Sequence, residues 1–135
     1  MSKRITAGSI RLKRAYEQPT CDDGTRILID RLWPRGVKKV DAAVDHWLKD
    51  LAPSTALRQW FGHDPARWQE FRHRYAEEVR QNFDQLKYVR ALARKSTITL
   101  VYSAHDKVHN DAVALRDFLL GRKTKRKAKA ATPAT

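Results

Sequence analysis

The sequence has a single cysteine, Cys21, and no apolar run that approaches the roughly 20 residues of a membrane span. One cysteine excludes a disulfide scaffold and any zinc site built on paired thiolates. Neither a P-loop nor a GxGxxG motif is present, and we therefore expect no cofactor. Residues 1–16 are charged throughout and lack the apolar stretch of a signal peptide. These absences predict a reduced, cytoplasmic protein that makes no membrane contact.

The charge of the chain is strongly positive and unevenly distributed. Among 135 residues, 28 are Lys or Arg and 15 are Asp or Glu, which gives a formal net charge of +13. Residues 1–40 carry ten basic and four acidic side chains, and the last fourteen carry six basic and none acidic. Residues 122–135 also lack large apolar side chains, which predicts a disordered Lys/Arg/Ala-rich tail. We therefore predict a single domain over residues 1–121 followed by that tail.

The hydrophobic pattern predicts strands separated by helices. Two short, nearly continuous apolar runs, residues 26–32 and 97–102, are typical of strands covered on both faces. A weaker alternating run at residues 9–13 predicts an edge strand. Between and after these runs, periodicity and capping residues predict helices that begin near Ser54, Asp64, Asp84 and His109. The fold class expected is therefore α/β, a small single domain with a mainly parallel sheet flanked by helices.

Five ordered blocks carry a family resemblance. The first is Arg26-Ile-Leu-Ile-Asp-Arg-Leu-Trp-Pro-Arg-Gly36. The others are Trp47 to Ser54, Leu57 to Phe61, His63 to Tyr75 and Thr99 to Tyr102, with Ala104, Asp106, His109 and Asn110 behind the last. Over residues 9–120 the chain resembles the YeaO-like branch of the domain of unknown function 488 family. The resemblance implies a small α/β fold in a bacterial cytoplasm and no established activity. The sequence departs from the family pattern at His105 and in its basic tail.

The first candidate site follows the first apolar run and contains Asp30, Arg31, Trp33 and Arg35. In open α/β sheets, ligands bind beyond the carboxyl ends of the strands. Two guanidinium groups and an indole there would hold a phosphate or carboxylate. The alternative is structural: Asp30 pairs with one arginine to fix the loop, and Trp33 packs over it.

The second candidate follows the other strong strand and contains Tyr102, Ser103, Asp106, His109 and Asn110. If the two strands are parallel, this group faces the same sheet edge as the arginine loop. A helix that begins near Asp106 would also direct its N-terminal amides toward an anion there. Asp106 is equally an ordinary N-cap residue, so helix capping alone would explain it.

We expect three more side chains in the same cleft. A pair of histidines is the one arrangement in the sequence that has metal-ligand spacing. Lys49 and Arg58 would add positive charge beside a tryptophan cluster that is itself typical of a core. His63 is a candidate acid or base by its intrinsic pKa, or else a polar residue of a turn. His105 and His109 have the i, i+4 spacing of a zinc pair but lack the third ligand, so we expect no metal site.

Three functions remain open from the sequence. In the first, an enzyme-like domain binds a small anionic ligand through Arg31 and Arg35, with Asp30, Asp106 or His109 in proton transfer. In the second, the basic chain associates with nucleic acid, with non-specific contact through residues 122–129. The third is a non-catalytic module that senses a ligand or binds a partner through the same cleft. The sequence does not determine the oligomeric state.

Overall fold

The protein is an all-parallel, four-stranded sheet with its main helices on one face. The structure, a computed structural model, describes residues 5–122. The strands are β1 (Ile10–Arg14), β2 (Thr25–Leu28), β3 (His46–Trp47) and β4 (Ile98–Tyr102), in the order β1-β4-β2-β3. This arrangement confirms the predicted parallel α/β fold and places β1 at an edge. All but one residue of the predicted 122–135 tail lies outside the described residues.

Five α-helices connect and cover the strands. They are α1 (Lys39–Ala42), α2 (Thr55–Phe61), α3 (Trp68–Gln81), α4 (Phe83–Lys95) and α5 (Asp111–Leu119). Short 3-10 turns occur at Ala7–Ser9, Cys21–Asp23, Lys49–Leu51 and Pro65–Arg67. Within residues 5–122, no helix is long and apolar enough to cross a membrane.

Both faces of the central strands are buried, which explains why their sequences are continuously apolar. Ile27 and Leu100 point into the main core, where they meet the apolar sides of α2 to α5. Leu28 and Val101 point the other way, into a smaller cluster covered by Trp33, Val44 and Trp47. Side chains alternate between the two faces of a strand, so a strand buried on both sides has few polar positions.

Two predicted helix starts differ from the structure by one or two residues, and a third is correct. The last helix begins at Asp111, where the Asn110 side chain accepts from the Val113 N–H. This start is two residues beyond the predicted His109 and well beyond the Asp106 start that the second candidate site assumed. The helix assigned to an Asp84 cap begins at Phe83, one residue earlier. Ser54 does cap α2, as predicted, by accepting from the Leu57 N–H.

Strand ends and short elements were the other errors. Strand β2 ends at Leu28, so the last residues of the predicted 26–32 run form the following loop. Helix α1 and strand β3 were not predicted, since four and two residues are too short for a periodic pattern.

A buried ionic network fixes the amino end of β2. The carboxylate of Asp23, which is fully buried, lies 2.6 Å from Arg26 and 3.1 Å from Lys13. Burial alone would raise the pKa of Asp23, but hydrogen bonds from Thr20 and from the two cations outweigh it and lower the pKa to about 2. The loop after β2 leaves the strand at its other, carboxyl end, away from this network.

Candidate functional site at the carboxyl edge of the sheet

Two aspartates meet at the carboxyl edge of the central strands. Asp30 lies two residues beyond β2, and Asp111 is the first residue of α5. The charge of Asp30 and a hydrogen-bonding interaction between the two carboxyl groups both raise the pKa of Asp111. A hydrogen bond between two carboxyl groups requires a proton on one of them, and the raised pKa keeps that proton on Asp111 to a higher pH than an ordinary aspartate would. The arrangement is a proton-sharing carboxyl pair.

The local environment assigns the proton to Asp111. Burial, the neighbouring charge of Asp30 and the hydrogen bond to Asp30 together raise the pKa of Asp111 well above its ordinary value. The Ala112 N–H and the charge of Arg58 act in the opposite direction and are weaker. Asp30, in contrast, accepts from the Ser103 N–H at 2.9 Å and from the Ser103 hydroxyl at 2.8 Å.

Tyr75 of α3 lies beneath the carboxyl pair. Its side chain is buried, and its hydroxyl donates to the Leu51 carbonyl oxygen. Burial, together with the charges of Asp111 and Asp30, raises the pKa of Tyr75 well above 10.0. Tyr75 therefore stays neutral at every physiological pH, and its hydrogen bond to Leu51 fixes the position of its side chain.

Glu78, one turn further along α3, connects this helix to the start of α2 by hydrogen bonds. It accepts from the Ser54 N–H at 2.7 Å and from the Ser54 hydroxyl at 2.6 Å. Ser54 in turn caps α2, the helix that carries Arg58. One continuous set of hydrogen bonds thus positions α2 against α3.

Arg58 is the cation of this edge. Its charge acts on Asp111, yet its guanidinium makes no hydrogen bond or ion pair with any of residues 5–122. The side chain is exposed on the solvent side of α2. An exposed, unpaired guanidinium whose charge reaches a half-buried acid pair is available for a ligand.

The turn between β4 and α5 is organised by Asp106. Its carboxylate accepts from the backbone N–H groups of Val108 and His109, each at 2.9 Å, and contacts His109 Nδ1 at 2.9 Å. The hydrogen bonds from His109 are the main reason that the pKa of Asp106 is lowered to about 2. The His109 ring also lies edge-on to Trp68, 5.2 Å between centroids.

Two other residues of this predicted group have internal partners. Asn110 is buried, caps α5 and donates to the Asp106 carbonyl oxygen at 2.9 Å. Tyr102 is buried at the end of β4, where burial and the charge of Glu17 raise the pKa of its hydroxyl.

The loop after β2 turns toward the second face of the sheet. Trp33 donates to the Val37 carbonyl oxygen at 2.7 Å and packs edge-on against Trp47, 5.4 Å between centroids. Arg31 is half-buried, and its Nε has no hydrogen-bond partner among the described residues. Arg35 is exposed, and its carbonyl oxygen accepts from the Tyr16 hydroxyl.

The predicted convergence of this loop with the β4–α5 turn rests on strand direction alone. Strands β2 and β4 are parallel neighbours, as that prediction required. The hydrogen bonds and ion pairs of Asp106 and His109 within residues 5–122 involve neither Arg31 nor Arg35. Their joint binding of one anion therefore stays a prediction.

The remaining candidate residues lie around the edge rather than in the acid pair. Lys49 lies over the Trp47 ring, 4.3 Å from its centroid. His63 is exposed in the turn after α2, with φ 56 and its ring 6.3 Å from that of Phe61. Nowhere in the described part of the chain do three or more His, Cys, Asp or Glu side chains form a group that could hold a metal.

Asp111 is the residue that sequence reasoning missed. An acidic residue in the first turn of a helix is ordinary, because it interacts favourably with the helix dipole. A usable signal existed: Asp30 and Asp111 follow the two most apolar strands, and parallel strands end at one edge. If every acidic residue that follows either strand is considered for this edge, Asp111 is among the candidates.

The fold and this edge define a small, all-parallel α/β domain with a proton-sharing carboxyl pair where two neighbouring strands end. The chain belongs to the family described as the inactive DUF488-N3 subclade, whose model matches residues 9–135. It is 42% identical over 111 residues to the uncharacterized protein YeaO of Escherichia coli K12, covering 82% of this chain and 96% of that protein. It is 41% identical over 113 residues to the uncharacterized protein Rv3073c of Mycobacterium tuberculosis H37Rv, covering 84% and 95%. No solved structure matches the chain significantly.

Proposed function

We propose that this protein is a binding domain for a small molecule that carries a phosphate or carboxylate group, held at the carboxyl edge of its sheet. One observation carries the proposal: Arg58 is exposed and unpaired within the described residues, and its charge acts on Asp111. A guanidinium group is suited to such anions because it donates two parallel hydrogen bonds to them.

The acid pair is compatible with an anion because it carries a single negative charge. The proton held by Asp111 removes one of the two charges that would otherwise repel the ligand. The carboxylate of Asp30 is then available to accept hydrogen bonds from hydroxyl or amino groups elsewhere in the ligand. Ser103 fixes that carboxylate in place before any ligand arrives.

Binding without turnover is favoured over catalysis. A carboxyl pair of this kind has the chemistry of a general acid and base. However, the family is described as an inactive subclade, and this supports a role of the pair in recognition. Asp106 and His109, the other candidates for proton transfer, already pair with each other at 2.9 Å.

The test is a titration with inorganic phosphate, monitored by the melting temperature and by calorimetry. We expect phosphate to stabilise the full chain and Arg58→Ala to weaken its binding about tenfold or more, since a hydrogen bond to a charged group contributes about 1.5–3 kcal/mol. Lys38→Ala is the matched control, because Lys38 is exposed and distant in sequence from Arg58 and Asp111. An equal loss of phosphate affinity in both variants would show that binding depends only on the net charge of the protein, and it would contradict the proposal.

Arg35→Ala reports separately on the loop after β2. A loss of phosphate binding in this variant would support the sequence-based expectation that Arg31 and Arg35 belong to the same site. Unchanged binding would restrict the site to the surroundings of Arg58.

A further inference from the structure

A row of cations runs along α4 and is separate from the acid pair. Phe83, Lys87, Arg90 and Arg94 are spaced by four, three and four residues and therefore lie on one side of the helix. We call these four residues the α4 row. At a rise of 1.5 Å per residue, the row is about 16 Å long. The single acidic residue of α4, Asp84, does not belong to it.

The three cations of the row are not neutralised within the fold. Lys87, Arg90 and Arg94 make no ion pair with any of residues 5–122. Lys87 Nζ lies 6.0 Å from the centroid of Phe83, which is 58% exposed. Because these cations form no ion pairs with carboxylates, such pairs do not explain their presence through a contribution to the stability of the fold.

Contacts with an aromatic ring hold part of the row in place. The guanidinium of Arg90 lies 5.7 Å from the centroid of the Phe118 ring of α5. Arg80 of α3 lies over the same ring at 5.3 Å, and its other contact is an exposed ion pair with Glu77 at 3.8 Å. Because cation–π contacts leave the hydrogen-bonding groups of a guanidinium available, both arginines can still donate to phosphates.

The basic end of the sequence begins just after α5, the helix that carries Phe118. Arg122 donates from its guanidinium to Asp117, the neighbour of Phe118, at 2.8 Å. Its backbone N–H bonds to the Asp117 carbonyl oxygen, also at 2.8 Å. The next residues in the sequence include Lys123, Lys125 and three further Lys or Arg up to Lys129, in a segment with no acidic residue.

We propose that the α4 row, with Arg80 over Phe118 and Arg122 just after α5, is a docking surface for the phosphate backbone of nucleic acid. Extended cationic surfaces bind nucleic acid by neutralising successive phosphates, with no need to read bases. A lipid surface fits less well, because the apolar side of α4, formed by Leu86, Val89 and Ala93, is buried in the core and the row itself offers a single exposed apolar side chain, Phe83.

The experiment measures binding of a fluorescein-labelled 20-nucleotide DNA to the full chain by anisotropy over a range of salt concentrations. The double variant Arg90→Ala/Arg94→Ala should bind about tenfold or more weakly at 0.1 M salt. Its plot of log K against log salt should also become shallower by about 2, one for each lost phosphate contact. The control is Lys38→Ala/Lys39→Ala, which removes the same charge from exposed residues at the start of α1.

A second variant separates charge from folding. Arg90→Lys/Arg94→Lys keeps both charges, and its affinity should stay within about threefold of the unaltered protein. Three results would overturn the proposal: wild-type affinity of the alanine variant, an equal loss in the Lys38/Lys39 control, or failure of the lysine variant to bind although it melts normally. An equal loss of binding to phosphatidylserine vesicles would also overturn it, since the row would then recognise anionic surfaces in general.

Discussion

Replacing Asp111 by Asn tests the proton-sharing pair directly. Asn has nearly the shape of a protonated aspartate, and its amide can donate to the Asp30 carboxylate as the Asp111 carboxyl does. The substitution therefore removes the titration of Asp111 and keeps its hydrogen bond. Asp30 retains both hydrogen bonds from Ser103.

The sign of the pH effect follows from the raised pKa of Asp111. In the unfolded chain this carboxyl loses its proton near pH 4, whereas in the folded protein it keeps the proton to a much higher pH. Between these two values the folded state binds more protons, so the free energy of unfolding falls as the pH rises. The slope approaches about 1.4 kcal/mol per pH unit. An asparagine side chain does not titrate, so the Asp111→Asn variant should gain stability relative to the unaltered protein by up to that amount per unit.

Urea unfolding at pH 4.5, 5.5 and 6.5, followed by tryptophan fluorescence, measures this difference. Asp23 and Asp106 do not interfere, because their pKa values of about 2 confine their titration to lower pH. The histidines are present in both proteins and cancel. A difference that is constant with pH, or that shrinks as the pH rises, would refute the shared proton at Asp111.

Three further predictions concern stability. Gly24→Ala should destabilise the fold by more than about 2 kcal/mol in urea unfolding, since φ is +63 and a Cβ would lie 2.1 Å from the Thr97 carbonyl oxygen. Asp23→Asn should cost about 3–5 kcal/mol by the same assay, because it leaves Arg26 and Lys13 without their buried carboxylate. The Asp23 carboxylate stabilises above pH 4, and this stabilisation should be lost as the pH falls toward 2. Deleting residues 123–135 should change stability by less than about 0.5 kcal/mol, as their sequence offers almost no large apolar side chain, and a clearly lower melting temperature would contradict this.

The sheet was predictable because its central strands are buried on both faces. Continuous apolar runs at β2 and β4 reflect that burial, and the alternating β1 sequence reflects an edge position. Strand β3 was not predictable, since two residues that pair with Ile27 and Leu28 leave no periodic signal. The start of α5 was mistaken because Asp106 and Asn110 are both good capping residues, and only the fold decides which one caps the helix.

The location of the candidate site was predictable from the sequence, but only some of its residues were. Strand direction fixes the edge, and Asp30 was assigned to it from the sequence. The proton-sharing partner could not be assigned, because the position of α5 relative to Asp30 depends on tertiary packing between elements far apart in the chain. The same holds for Tyr75 and Glu78, which read as ordinary helix positions until α3 is placed beneath the edge.

The two proposed surfaces differ in how the fold prepares them. At the carboxyl edge, internal hydrogen bonds fix Asp30 and Tyr75, while Arg58 faces solvent. Such a site is rigid before binding, which lowers the entropy lost when a small ligand is held. On α4, the cations are long side chains, exposed or half-exposed and with few internal contacts, which suits a partner recognised by charge over a length rather than by shape. A small anion and a polyanion therefore need not compete, and saturating phosphate should leave the DNA affinity changed only by ionic strength.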